Sequence, residues 1–99
     1  MATYPYATDY ETVAASQTDQ VLGPVGAAGD VLEKLIVSVA TAATSTVSIK
    51  DGSGSAIVIT AANTPIGVYS VLIGARSTGG AWKVTTGAGA TVLAVGQFK

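Results

Sequence analysis

STVSIKDGSGSAIVIT, running from Ser45 to Thr60, is the stretch on which the fold turns. Val47 and Ile49 point one way and Thr46, Ser48 and Lys50 the other, the period-two alternation of a strand with one wet face. Asp51-Gly52-Ser53-Gly54 supplies a tight turn, because Asp and Gly tolerate the positive φ that a sharp reversal demands. The chain returns as Ala56-Ile57-Val58-Ile59-Thr60, apolar on both faces. A strand wet on neither face is expected to be covered on both, by a second sheet or a partner chain. The expectation is a β-sandwich with a surface to share.

The segments downstream repeat the pattern. Gly67 to Arg76 reads as a long strand with Tyr69, Val71, Ile73 and Ala75 on one face, and Val68, Ser70, Leu72, Gly74 and Arg76 on the other. Ala81 to Thr86 is a strand with Trp82 and Val84 inward and Lys83 and Thr85 outward. Thr91 to Phe98 closes the chain as a strand apolar on both faces. Ala62-Asn63-Thr64-Pro65, Ser77-Thr78-Gly79-Gly80 and Gly87-Ala88-Gly89 are the turns between them. Turn signals every eight to twelve residues or so are the pattern of an all-β sandwich. The expected fold is therefore all-β: a compact β-sandwich of jelly-roll or Greek-key type with six to eight strands, a small barrel being the next choice.

Upstream, Val31 to Val39 fits two periods. Val31, Leu32, Leu35, Ile36 and Val39 make a helical stripe, and Asp30 with Glu33 resembles a capping box. As a strand, Leu35, Val37 and Val39 face in and Lys34 and Ser38 face out. The β-branched ending favours the strand. Gly23-Pro24-Val25-Gly26 lies in a loop before it. Residues 1–20 show no periodicity, and Pro5 stops a regular start. They read as an extended N-terminal arm, with the sandwich domain spanning 21–99. Three of the four tyrosines, Tyr4, Tyr6 and Tyr10, sit in this arm. Tyr combines a large rigid face with a polar tip, so these three are the expected protein-interface residues.

Composition narrows the function classes. Ninety-nine residues make one domain. Hydrophobic residues are 48% and charged residues 11%, against about 25% charged in a typical protein. So few charges cannot coat the surface, and part of it is expected to lie against another subunit. A homo-oligomer is expected, or a monomer poorly soluble until it meets its partner; a dimer is slightly favoured over a trimer because two-fold pairing is the commonest closed symmetry. The formal net charge is -1, and Lys34, Lys50, Arg76, Lys83 and Lys99 are scattered. No basic stripe for nucleic acid exists. The N-terminus lacks a signal-peptide pattern, and Val31–Val39 is too short and too charged to span a bilayer. A membrane partner is not expected, and synthesis in a cytoplasm is.

No chemistry-bearing motif in the sequence is complete. With no His and no Cys, the usual general base, the commonest zinc ligands and the nucleophilic triads are missing. Asp9 and Glu11 read as solvated charges on the arm. Asp51, Ser53 and Ser55 imitate the start of a calcium loop, but Ala56 and Ala62 stand where Gly and a bidentate Glu are needed. Gly74 to Gly79 has the glycine spacing of a phosphate loop, yet Gly80-Ala81 replaces the required Lys-Ser/Thr. Trp82 beside inward Val84 reads as core, whereas sugar binding would need it exposed. No enzyme, cofactor or metal site is expected.

GAAGD before the first long strand, VSIKDGSGSAI at the hairpin and STGGAWKVTTGA near the end resemble small head proteins of tailed bacteriophages. The resemblance runs from Asp30 through Lys99. It implies a capsid decoration or cement protein of the virion, which binds the outside of an assembled shell and clamps neighbouring subunits of the major capsid protein. The alternative is a receptor- or carbohydrate-binding domain of a phage tail fibre or spike. The resemblance carries over no functional residues.

Overall fold

The computed structural model describes residues 9–23, 28–41 and 44–98, and every regular element among them is a strand. In chain order these are β1 (Asp9–Val13), β2 (Gln20–Val21), β3 (Val31–Val39), β4 (Val47–Asp51), β5 (Ile57–Thr60), β6 (Gly67–Arg76), β7 (Trp82–Thr85) and β8 (Ala90–Gln97). They form two four-stranded antiparallel sheets, ordered β1-β8-β3-β6 and β2-β7-β4-β5.

This order has a simple origin. β4 pairs with β5, β3 with β6, β2 with β7 and β1 with β8. The chain is a long double ribbon folded at the β4–β5 hairpin, and successive pairs go to alternate sheets. β8·β3 and β7·β4 pairings then complete the two sheets. Such a wrapped ribbon is a jelly roll, which decides between the fold types expected from sequence. The hairpin from Ser45 to Thr60 is the fold point of the whole roll.

Between the sheets lie Leu32, Leu35, Val37 and Val39 of β3, Val92 and Ala94 of β8, Val47 and Ile49 of β4, and Trp82 and Val84 of β7, all buried. Val13 and Leu22 join them. Complete burial of one Leu or Val side chain stabilises by about 1.5–3 kcal/mol, so this cluster is the main term holding the layers together. The Trp82 indole N–H, buried with its ring, donates to the Asp30 carbonyl at 3.1 Å. That satisfies the one polar atom a core Trp brings with it.

β3 resolves the ambiguity of its own sequence. Leu32 and Leu35 are both fully buried although three residues apart. Opposite β8 the register passes from Leu32↔Gly96 to Lys34↔Val95, so Glu33 is an extra residue in a β-bulge. The bulge rephases the strand, and beyond it Leu35, Val37 and Val39 point inward in strict alternation. The spacing that imitates a helix is a strand that slips by one.

The N-terminal segment departs from expectation. Residues 1–20 are not one arm, because Asp9–Val13 is an edge strand of the first sheet and pairs with β8 from Asp9↔Gly96 to Val13↔Val92. Gln17 N–H donates to Thr86 Oγ1 at 3.0 Å, and Thr86 N–H donates to the Gln17 carbonyl at 2.8 Å. Sandwich structure thus begins well before residue 21. The short, polar β1 gave no readable alternation; its pairing comes from the partner strand β8. Residues 1–8, with Tyr4 and Tyr6, lie outside the described residues.

The two strands read as apolar on both faces take different places in the sheets. β5 is an edge strand, with Ile57 50% and Val58 60% exposed. β8 is central, and its inner face is small: Ala90, Val92, Ala94 and Gly96. Its outer Leu93 and Val95 are half-buried.

Candidate interaction surface

The two sheets turn different chemistry outward. Antiparallel partners share a face, so the pairing registers give each outer surface row by row. Across the first sheet, one row is Tyr10, Val95, Lys34 and Leu72. The next is Thr12, Leu93, Ile36 and Ser70, and Thr91, Ser38 and Val68 follow. Tyr10, Val68 and Leu72 are 72%, 70% and 74% exposed. Between them Ile36, Leu93 and Val95 are half-buried by their neighbours. The result is an open apolar sheet face, with Lys34 within it and Ser and Thr at intervals.

The outer face of the second sheet is mixed, with charged and polar side chains beside exposed Val21 and Val58. Its rows are Val21, Lys83 and Lys50, then Thr85, Ser48 and Val58. Lys50 Nζ sits 3.2 Å from Asp19 Oδ2, and Thr85 Oγ1 donates to Asp19 Oδ1 at 3.1 Å. Asp19 N–H in turn donates to Thr85 Oγ1 at 2.9 Å. The hydrogen bond from Lys50, then that from Thr85, holds the Asp19 carboxyl below its ordinary value. These bonds give the centre of this face internal partners, while Val21 and Val58 stay exposed at its edges.

Tyr10 is the one expected interface residue within the described chain, and it stands on the apolar face beside Val95. Asp9 and Glu11 are not merely solvated. Phe98 N–H donates to Asp9 Oδ2 at 3.0 Å. Glu11 accepts from Gly23 N–H at 2.8 Å and from Gln20 Nε2 at 2.8 Å. Both carboxylates fasten chain segments.

Asp51 has a structural task too. Its carboxylate accepts the N–H groups of Gly79 and Thr78 and the Thr78 hydroxyl, at 2.9–3.1 Å. The Gly79 and then the Thr78 backbone bonds hold its carboxyl below the ordinary range. A side chain of the protein thus fills the amide nest that resembled a phosphate loop. The described residues enclose no pocket and bring no group of three His, Cys, Asp or Glu together.

Sequence reasoning named Tyr10 and did not group Ile36, Val68, Leu72, Leu93 and Val95 on one face with it. The signal was present as apolar residues on the second face of Gly67–Arg76 and Thr91–Phe98. What the sequence lacked was the strand order that puts those residues side by side. No family model, curated protein or solved structure matches this chain.

Proposed function

We propose that this protein is a virion structural subunit, a decoration protein that lays the apolar outer face of its first sheet on the outside of a phage head and clamps neighbouring capsid subunits. The observation that carries this reading is the asymmetry between the two outer faces. One is open and apolar around Ile36, Leu93 and Leu72; the other carries the Lys50–Asp19–Thr85 cluster at its centre, with only Val21 and Val58 as exposed apolar side chains among its described residues. A subunit that sits on a shell needs one face of each kind, apolar toward the shell and polar toward water. The resemblance of GAAGD, VSIKDGSGSAI and STGGAWKVTTGA to phage head proteins supplies the identity of the shell. Binding the assembled shell better than its loose subunits stabilises the shell by mass action. Tyr10, with Tyr4 and Tyr6 of the preceding segment, adds aromatic anchors to the same contact.

Trp82 is buried in the core, so it offers no stacking platform to a sugar. The test is to add the full-length protein to heads that lack it and image the particles. Density on the outer head surface, lost with Ile36→Ser, is the expected result. Density on the tail alone, or equal head binding by Ile36→Ser, overturns the proposal.

A further inference from the structure

The edge of the first sheet at β6 has features that proteins ordinarily avoid. β6 is ten residues long and, among the described residues, pairs only with β3 on one side. It has no charged residue and no Pro between Gly67 and Ala75. Exposed edges are usually kept short, charged, bulged or interrupted by Pro, because an open row of N–H and C=O groups templates pairing with another chain. The other three edges follow that rule. β1 carries Asp9 and Glu11, β2 is two residues long and β5 four; the register shift of β6 lies near its end, between Leu72 and Ala75.

The pattern along β6 is also self-matching. Val68 and Leu72, both largely exposed, stand two residues either side of Ser70. A two-fold axis through Ser70 makes β6 antiparallel to its own copy and sets each Val68 opposite the partner's Leu72. On the inner face it sets half-buried Tyr69 opposite the partner's Val71, and Gly67 opposite the partner's Ile73. No charge meets a like charge across the axis. The β3–β6 register is regular from Gly67 to Leu72 and shifts between Leu72 and Ala75, where Gly74 has φ 61, so the Ile73 pair stands at the end of the regular run.

We infer that two copies of this chain pair through β6 about a two-fold axis at Ser70, joining their first sheets into one continuous eight-stranded sheet. Cross-strand pairs of apolar residues are the unit of such an interface, and a self-complementary patch is what a two-fold dimer requires. The apolar outer faces then lie side by side in one plane. This pairing does not rest on the decoration reading, since it forms in solution without a shell.

The chain has no Cys, so single cysteines report on it cleanly. Residues directly opposite in an antiparallel ladder have Cα atoms about 4.5–5.5 Å apart, within the reach of a disulfide. Oxidised Ser70→Cys is expected to run as a covalent dimer, while Thr12→Cys, exposed on the opposite edge of the same sheet, stays monomeric. The unmodified protein is expected to sediment at twice the monomer mass. Ser70→Lys places like charges face to face and is expected to halve that mass while keeping the same β circular dichroism. Four results each overturn the inference: a monomer at the highest soluble concentration, a trimer, equal cross-linking by Thr12→Cys, or a dimer unaffected by Ser70→Lys.

Discussion

The carboxylate of Glu11 on β1 receives the backbone N–H of Gly23, twelve residues on, at 2.8 Å. Its second oxygen takes Gln20 Nε2 at 2.8 Å, and that same amide nitrogen donates to the Thr12 carbonyl at 3.2 Å. One side chain therefore ties an edge strand of the first sheet to the start and exit of β2 in the second. The link sits beside Val13 and Leu22, both buried in the shared core. The segment that reads as an arm in sequence is a seam between the two layers.

Truncation separates seam from tail. Removing residues 1–8 is expected to leave the sandwich folded, whereas removing 1–13 deletes β1 and the buried Val13 and should abolish cooperative unfolding. Glu11→Ala leaves the Gly23 N–H without its acceptor and is expected to cost about 1–3 kcal/mol in urea denaturation. A full-length-like melt after loss of 1–13 would show that β1 is dispensable.

Glycines at two turns make a paired test. Gly52 follows Asp51 with φ 60, and a Cβ there would stand 2.2 Å from the Gly79 carbonyl oxygen. Gly29 has φ 95 with nothing within 4 Å of the same position. Gly29→Ala should therefore cost only the conformational penalty, about 1 kcal/mol. Gly52→Ala adds a backbone collision between the β4–β5 and β6–β7 turns, and should cost clearly more in thermal unfolding. Equal costs would mean that the two turns part easily.

These results show where the sequence is legible. Val47–Asp51, Gly67–Arg76 and Trp82–Thr85 announce themselves by alternation, since each has one face in the core. β1 does not, because its inner face bears Asp9 and Glu11, which bond to backbone instead of packing as apolar side chains. In β3 the bulge at Glu33 breaks the period that would have identified the strand outright. The apolar outer face was legible only as scattered residues. β6, β3, β8 and β1 become neighbours through pairings between strands far apart in the chain, and no local pattern encodes that order.

Acid sensitivity follows from Asp51 and Asp19. Both carboxyls are held below the ordinary value of 3.8 in the folded protein, Asp51 by the Gly79 and Thr78 donors and Asp19 by Lys50 and Thr85. A depressed folded pKa contributes stability that is present above the unfolded value and lost as pH falls through the folded one. Stability should therefore hold near neutral pH and decline as pH drops from about 4 downward. Asp51→Asn should lower the urea midpoint at pH 7, and its gap from the unmodified protein should close as the solution is acidified. A gap constant across pH would place the effect in shape, with no part for charge.

Leu35 and Ile36 are adjacent on β3 and face opposite sides of the first sheet, Leu35 into the shared core and Ile36 onto the apolar outer surface. The same loss of side-chain volume should have different consequences at the two sites. Leu35→Ala opens a cavity among fully buried neighbours and is expected to cost about 2–5 kcal/mol of folding stability. Ile36→Ser loses only the packing of a half-buried side chain against Leu93, expected at about 1 kcal/mol. Its larger effect should be on attachment to another protein surface, where Ile36 stands at the middle of the apolar face. Urea denaturation of the two variants, beside binding to shells, separates the roles. If Ile36→Ser costs as much folding stability as Leu35→Ala, the outer face is already covered in solution and acts as a second core. If it costs little and binding is also unchanged, the apolar face is not the docking surface.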